Sequence, residues 1–236
     1  MVQLSPHHPH VNLRLKFKKV GSLQYISHLD LVRTMYKIIV RAKLPLWYTE
    51  GFNPKPKMIF AAPLSIGVES VCEYLDIKLI DDIPPEEAMR RLNENMTDEM
   101  QIIEAYYTED KLTDLKWLGY ELRLCPVGGV SEELVCRVRE TLLGESLTVE
   151  KKGKPQDKPK TVDIRHLIHS ALVSAQDGEL LINCILSADS SSFLNPEYII
   201  KALRDKLGIL TSPVLTDEYY SILRNRAYRA DMTPFA

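Results

Sequence analysis

Two clusters hold the side chains best suited to chemistry or to gripping a ligand. One is Ser27-His28-Leu29-Asp30; the other is Tyr48-Thr49-Glu50-Gly51-Phe52-Asn53-Pro54-Lys55-Pro56-Lys57. In the second, Pro54 and Pro56 fix the backbone, so Lys55 and Lys57 are held outward at low entropic cost to meet phosphates, while Tyr48 or Phe52 is available to stack a base. The competing reading is a surface turn whose lysines serve solubility. In the first cluster His28, oriented by Asp30 or Glu50, has the make-up of a general base for metal-free RNA cleavage. The same residues also suit a helix start, where Ser27 and Asp30 cap and His28 packs.

Other chemistries find less. No G-x-S-x-G, P-loop or G-x-G-x-x-G occurs, so neither a nucleophile elbow nor a nucleotide cradle is read here. His166 and His169 are three apart, with Asp163 and Arg165 nearby, but two imidazoles make at best half a zinc site. Cys72, Cys125, Cys136 and Cys184 are widely spaced within apolar runs and form no C-x-x-C, which reads as buried thiols. His7, His8 and His10 lie in a proline-containing tail and are assigned no metal. No metal and no cofactor is expected.

The elements that would position these clusters follow from periodicity. Val11–Lys19 alternates as a half-buried strand, with Leu13, Leu15 and Phe17 on one face and Arg14, Lys16 and Lys18 on the other. Ser27 caps a helix reaching about Ala42, its apolar positions Leu29, Val32, Tyr36, Ile39 and Val40 recurring at three- and four-residue steps. Arg33, Lys37 and Arg41 step by four along another face as a basic ridge. Pro45 ends the helix, and strands are expected at Leu46–Thr49, Met58–Pro63, Cys72–Ile80 and Gln101–Thr108, with a helix opened by Pro84 and Pro85. The second half repeats the order in pattern only. Tyr120–Val127 and Ser146–Glu150 read as strands, Ser131–Leu143 as a capped helix, and Lys151–Lys160 as a flexible polar loop. Val162–Val173 is ambiguous, Glu179–Leu186 is a strand, and a helix runs from Asn195 to Leu207. A C-terminal tail carries Arg224, Arg226 and Arg229 beside Tyr219, Tyr220 and Tyr228.

The net charge of -2 conceals an asymmetry. Residues 1–60 hold ten Lys and Arg against Asp30 and Glu50, whereas residues 61–116 hold five basic against fourteen acidic groups. Such polarity prepares one face for a polyanion; the alternative is solvated lysines on unrelated faces. At 236 residues, 45% of them hydrophobic and 26% charged, the composition is that of a globular chain of one to two domains. No apolar run spans a bilayer and MVQLSPHHPH lacks the features of a signal peptide, so a cytoplasmic location without membrane contact is expected.

The stretch GSLQYISHLDLVRTMYKIIVRAKLPLWYTEGFNPKPKMIFAAPLSIGVESVCEYLDIKL resembles the signature of the radical SAM-linked protein family. The family pattern is met by Ser27 to Leu31, Arg41-Ala42, Leu44-Pro45, Tyr48 with Thr49 in place of Ser, Gly51 to Pro56, and Pro63 through Asp76. The resemblance covers about residues 11–80 and implies a companion radical SAM protein, fused or encoded nearby; this chain would be the stand-alone form. It carries no established activity with it.

The expectation is therefore an α+β chain of two ferredoxin-like (split βαβ) units with antiparallel sheets, at 11–112 and 117–236. Its function reads as a non-catalytic accessory that binds RNA and partners a radical SAM enzyme. The expected contacts are Arg33, Lys37, Arg41, Tyr48, Phe52, Lys55 and Lys57. Two alternatives stay open: a protein-docking module without RNA affinity, and a metal-independent ribonuclease using His28 with Asp30.

Overall fold

Alternation sets the first strand, β1 (Val11–Lys19): Leu13, Leu15 and Phe17 are buried in the core. The computed structural model describes residues 11–151, 160–212, 214 and 217–235 and divides between Asp114 and Leu115 into two compact units. In the first unit β1 is followed by a 3-10 turn (Gly21–Tyr25), α1 (His28–Arg41), β2 (Met58–Phe60), β3 (Glu69–Leu79), α2 (Pro85–Asn93) and β4 (Met100–Tyr107). The strands lie in the order β4-β1-β3, with β2 pairing β3 on the side away from β1, and each of these pairings is antiparallel. Register places Leu13 opposite Ile77 and Leu15 opposite Leu75, so one face of the sheet is continuous and apolar. Leu31, Met35, Ile38 and Ile39 of α1 and Ala88 and Leu92 of α2 cover that face, each large side chain contributing about 1.5–3 kcal/mol by burial.

Two expectations about these elements change. The opposite face of β1 is not uniformly solvated, because Arg14 is 0% exposed. Its Nε and Nη2 donate to Asp76 of β3 at 2.7 and 2.9 Å, Nη2 also donates to the Asp110 carbonyl, and Asn12 donates to the same carboxylate. An unpaired charge could not be buried there; a bidentate, further hydrogen-bonded one can. On α1, Leu29, Tyr36 and Val40 are exposed rather than in the core. The helix carries two apolar stripes, and the more continuous one, Leu31-Met35-Ile38-Ile39, takes the sheet.

The strand expected at Leu46–Thr49 is reduced to isolated bridges, Leu46 to Leu79 and Tyr48 to Pro56.

The second unit contains β5 (Trp117–Cys125), α3 (Glu132–Leu143), β6 (Thr148–Lys151), β7 (Lys160–Asp163), β8 (Ile168–Gln176), β9 (Glu179–Ser187), α4 (Glu197–Leu207) and β10 (Tyr219–Tyr228). Its antiparallel sheet runs β10-β5-β9-β8. Ser131 caps α3 by accepting from the Leu134 N–H, and Gly208, at φ 69°, ends α4 in the left-handed conformation that glycine tolerates.

Here too the sequence misleads in places. Thr148–Lys151 does not join the main sheet but pairs with Lys160–Asp163 as a separate ribbon. The ambiguous segment resolves into the end of β7, a 3-10 turn (Arg165–Leu167) and the start of β8. The supposed tail is β10, a full sheet member; its inward Arg224, 2% exposed and lying over the Tyr120 ring, masks the apolar alternation. The loop expected at 151–160 falls, except at its two ends, outside the described residues, as do His7, His8 and His10. Of the cysteines, Cys72 and Cys184 are buried as expected, Cys125 is half-buried, and Cys136 is exposed on α3. The four α-helices and antiparallel sheets among the described residues make the fold α+β.

Candidate nucleic-acid interface

The approach to α1 is held by charge-assisted hydrogen bonds. Gly21 adopts φ +62° and donates its N–H to Glu69 at 2.6 Å. Glu99 accepts from both the N–H and the hydroxyl of Ser22, and Lys19 reaches over to the Leu23 carbonyl. These contacts fix where Ser27 begins the helix. The Ser27 hydroxyl accepts from the Asp30 N–H at 3.1 Å and lies 2.7 Å from the Asp30 carboxylate, to which it donates. Asp30 thus closes on the cap hydroxyl rather than on the backbone.

This arrangement bears on the two roles weighed for the cluster. The Asp30 carboxylate is held by Ser27 and lies 3.5 Å from Arg33, and His28 packs edge-on against Phe60 of β2 with centroids 5.4 Å apart. Among the described residues neither Asp30 nor Glu50 hydrogen-bonds His28. The histidine is thus exposed at the helix start, with its ring edge-on to Phe60 and, among the described residues, no orienting carboxylate.

Beyond α1 the chain forms a closed loop. Trp47 donates its N–H to the Lys78 carbonyl, and Lys57 donates to the Trp47 carbonyl, anchoring both ends to β3 and to each other. Inside, the Thr49 N–H donates to the Lys55 carbonyl at 2.9 Å, and the Lys55 N–H donates to the Thr49 hydroxyl at 3.0 Å. Phe52 stands fully exposed at the tip, following Gly51 at φ +127°. At the base, burial and then a polar contact with the Tyr36 hydroxyl push the Tyr48 phenol up from its ordinary value. Tyr36 belongs to α1, so helix and loop share an edge. The Lys78 ammonium lies over the Trp47 ring on the β3 side.

The expected contact residues fall on this edge. Arg33, Lys37 and Arg41 line the exposed side of α1, and Phe52, Lys55 and Lys57 are exposed on the loop; Tyr48 is half-buried between them. Sequence reading missed Tyr36 and Lys43, both exposed, because Tyr36 was assigned to the core. Among the described residues Lys37, Arg41, Lys43, Lys55 and Lys57 make no ion pair, and Arg33 has only the Asp30 contact. Elsewhere many cations are matched: Lys16 with Glu104, Arg90 with Glu87 and Glu94, Arg91 with Glu87, Lys116 with Asp189, Lys201 with Asp205. Exposed cations thus share α1 and its loop, five of them without an ion pair among the described residues.

Among the described residues no group of three or more His, Cys, Asp or Glu is placed to hold a metal ion, and no helix is long and apolar enough to cross a membrane. The Asp163 carboxylate accepts from the N–H groups of Arg165 and Leu147, which hold it below the usual carboxylate range in a structural turn. A cleft of about 930 Å³ at one end of the first sheet is lined by Asn12, Ile59, Lys78, Tyr107 and Lys111 among others.

In class, the chain is an α+β protein whose fold resembles that of a chain in the crystal structure of a Cbf5-Nop10-Gar1 complex. The two share 13% identity with a TM-score of 0.52, over 91% of this chain and 48% of that one. A chain in the structure of an H/ACA RNP bound to a substrate RNA containing 2'-deoxyuridine is also similar, at 12% identity and TM-score 0.49 over 92% and 47% of the two chains. The chain spans about half the length of these structures. No curated protein matches it. The chain belongs to the family described as uncharacterized protein conserved in bacteria (DUF2344), whose model matches residues 12–196.

Proposed function

We propose that this chain is a non-catalytic RNA-binding accessory protein, that the edge formed by α1 and the Trp47–Lys57 loop is its RNA interface, and that it partners a radical SAM enzyme. The observation that carries the RNA reading is the group of exposed cations, Lys37, Arg41, Lys43, Lys55 and Lys57, unpaired among the described residues and joined by Arg33. Keeping these like charges together, with Asp30 and Glu50 as the acidic residues on the same segment, costs stability through self-repulsion, and a bound polyphosphate removes that cost while releasing counterions. Aromatic rings on the same elements supply surfaces for bases.

The radical SAM partner rests on the signature between residues 11 and 80. The order β-α-β-β-α-β and the strand sequence β4-β1-β3-β2 support reading the first unit as ferredoxin-like. The order β10-β5-β9-β8 supports the same reading of the second, with the β6-β7 ribbon inserted. Four free cysteines fit a reducing compartment, hence the cytoplasm.

The test is binding of the purified protein to total cellular RNA across a salt series, beside a Lys55→Glu/Lys57→Glu variant. Affinity falling steeply with salt, with a slope shallower by roughly 0.7–0.9 per lost contact in the variant, supports the interface. Absence of binding at low salt rejects it. A second reading is favoured by one observation, the exposed apolar stripe Leu29, Tyr36 and Val40 on α1. It is a protein-docking face, and it gains weight if RNA fails to bind while a partner protein is captured.

A further inference from the structure

Resting on the RNA reading above, we infer that the interface selects unpaired RNA, because the Phe52 ring at the loop tip takes the face of an unstacked base while Lys55 and Lys57 follow the backbone of the same strand. The ring is fully exposed, and the chain has gone to some length to present it. Gly51 at φ +127° turns the backbone just before it, in open space with no atom within 4 Å of where a Cβ would stand. The reciprocal Thr49–Lys55 hydrogen bonds and the Tyr48–Pro56 bridge then close the loop beneath it. Pro54 and Pro56 remove further freedom, so little order has to be gained when a ligand arrives.

A ring held this way cannot be satisfied by duplex RNA. In an A-form helix both faces of each internal base are already stacked on neighbours, and the groove that shows base edges offers contacts to 2'-hydroxyls and phosphates instead. A single strand, a loop or a bulge offers the face itself, and stacking on an aromatic side chain tolerates any base. The lysines lie three and five positions beyond Phe52, both exposed, and the tyrosine pair at the loop base continues the surface towards the cations of α1. The ligand class is thus single-stranded RNA, or an unpaired segment within a structured one, with weak base preference.

The experiment compares fluorescence anisotropy of a labelled single-stranded RNA of about 12 nucleotides with its blunt duplex at one salt concentration. It uses the full chain and its Phe52→Ala, Phe52→Trp and Lys55→Glu/Lys57→Glu variants. The expected result is single-strand binding at least about tenfold tighter than duplex binding. Phe52→Ala should lose about tenfold on the single strand with an unchanged salt slope and little change on the duplex, and Phe52→Trp should restore affinity. Because Phe52 packs on nothing, these variants leave the fold intact, which circular dichroism checks. Equal affinity for both RNAs, or a silent Phe52→Ala, overturns the inference while leaving RNA binding standing if the lysine variant still weakens both. No binding of either RNA overturns both readings.

Discussion

Thr49 and Lys55 hold each other twice: the Thr49 N–H donates to the Lys55 carbonyl at 2.9 Å, and the Lys55 N–H donates to the Thr49 hydroxyl at 3.0 Å. Five residues, with Phe52 at their centre, are thereby closed into a loop. The signature allows Ser where this chain has Thr, and both supply the hydroxyl that the closure needs. Thr49→Val removes the hydroxyl at nearly constant volume and should lower RNA affinity several-fold with little change in global stability, whereas Thr49→Ser should behave as the parent. The exposed loop hydrogen bond contributes about 0.5–1.5 kcal/mol, so denaturation midpoints should move little.

At Gly21 the backbone is at φ +62°, and a Cβ would stand 2.3 Å from the Glu99 carboxylate that holds Ser22. Gly21→Ala should therefore destabilise the chain by about 1–2 kcal/mol from the left-handed conformation alone, and loosen the start of α1 as Glu99 moves aside. A lowered thermal midpoint together with weaker RNA binding is the expected outcome; an unchanged midpoint would show that the turn is not under constraint.

The buried pair Arg14–Asp76 gives a sharper stability test. Asp76→Ala leaves a guanidinium buried without its carboxylate and should cost about 3–5 kcal/mol in urea denaturation. Replacing both residues, with Arg14→Met and Asp76→Leu, should recover most of that loss, because two apolar side chains carry no desolvation cost. A double variant no better than the single one would locate the cost elsewhere.

Acid should weaken the second unit in a defined window. The hydrogen bond from Lys116, supported by those from Ser191, lowers the Asp189 carboxyl to about 2. The N–H groups of Ser212, Val127 and Leu210 hold Glu218 below its ordinary value as well. A carboxylate with a depressed folded-state pKa contributes stability that is complete above its unfolded value near 4 and is lost as the pH falls through the folded one. Urea midpoints should accordingly drop between about pH 4 and about pH 2. In Asp189→Asn that drop should be shallower.

How much of this was legible in the sequence depends on which residues carried the signal. The strand β1, the capped helices α1 and α3, and the glycine stop of α4 were read correctly, because alternation, Ser capping and a left-handed glycine are local effects. The strand β10 was missed because Arg224 occupies an inward position that only the Tyr120 ring makes acceptable. The strand expected at Ser146–Glu150 is found two residues later, at Thr148–Lys151, taking in the first residue of the expected loop; its partner, Lys160–Asp163, lies beyond that loop, and pairing is not a local property. On α1 steps of three and four run through Leu29, Val32, Tyr36 and Val40 as well as through Leu31, Met35, Ile38 and Ile39, and packing in the core decides for the second set. The cations of the proposed interface are visible as a count; which of them are exposed and without an ion pair is not, since Arg14, which belongs to the same count, is buried against Asp76.

The central claim is that RNA lies along α1 and the Trp47–Lys57 loop, and ultraviolet crosslinking of a single-stranded RNA to the full chain, with the adducts mapped by mass spectrometry, tests it most directly. The account predicts adducts on Tyr36, Tyr48 and Phe52 that diminish with added salt and in Lys55→Glu/Lys57→Glu. Adducts confined to residues 115–235, or adducts indifferent to the two lysines, would contradict it.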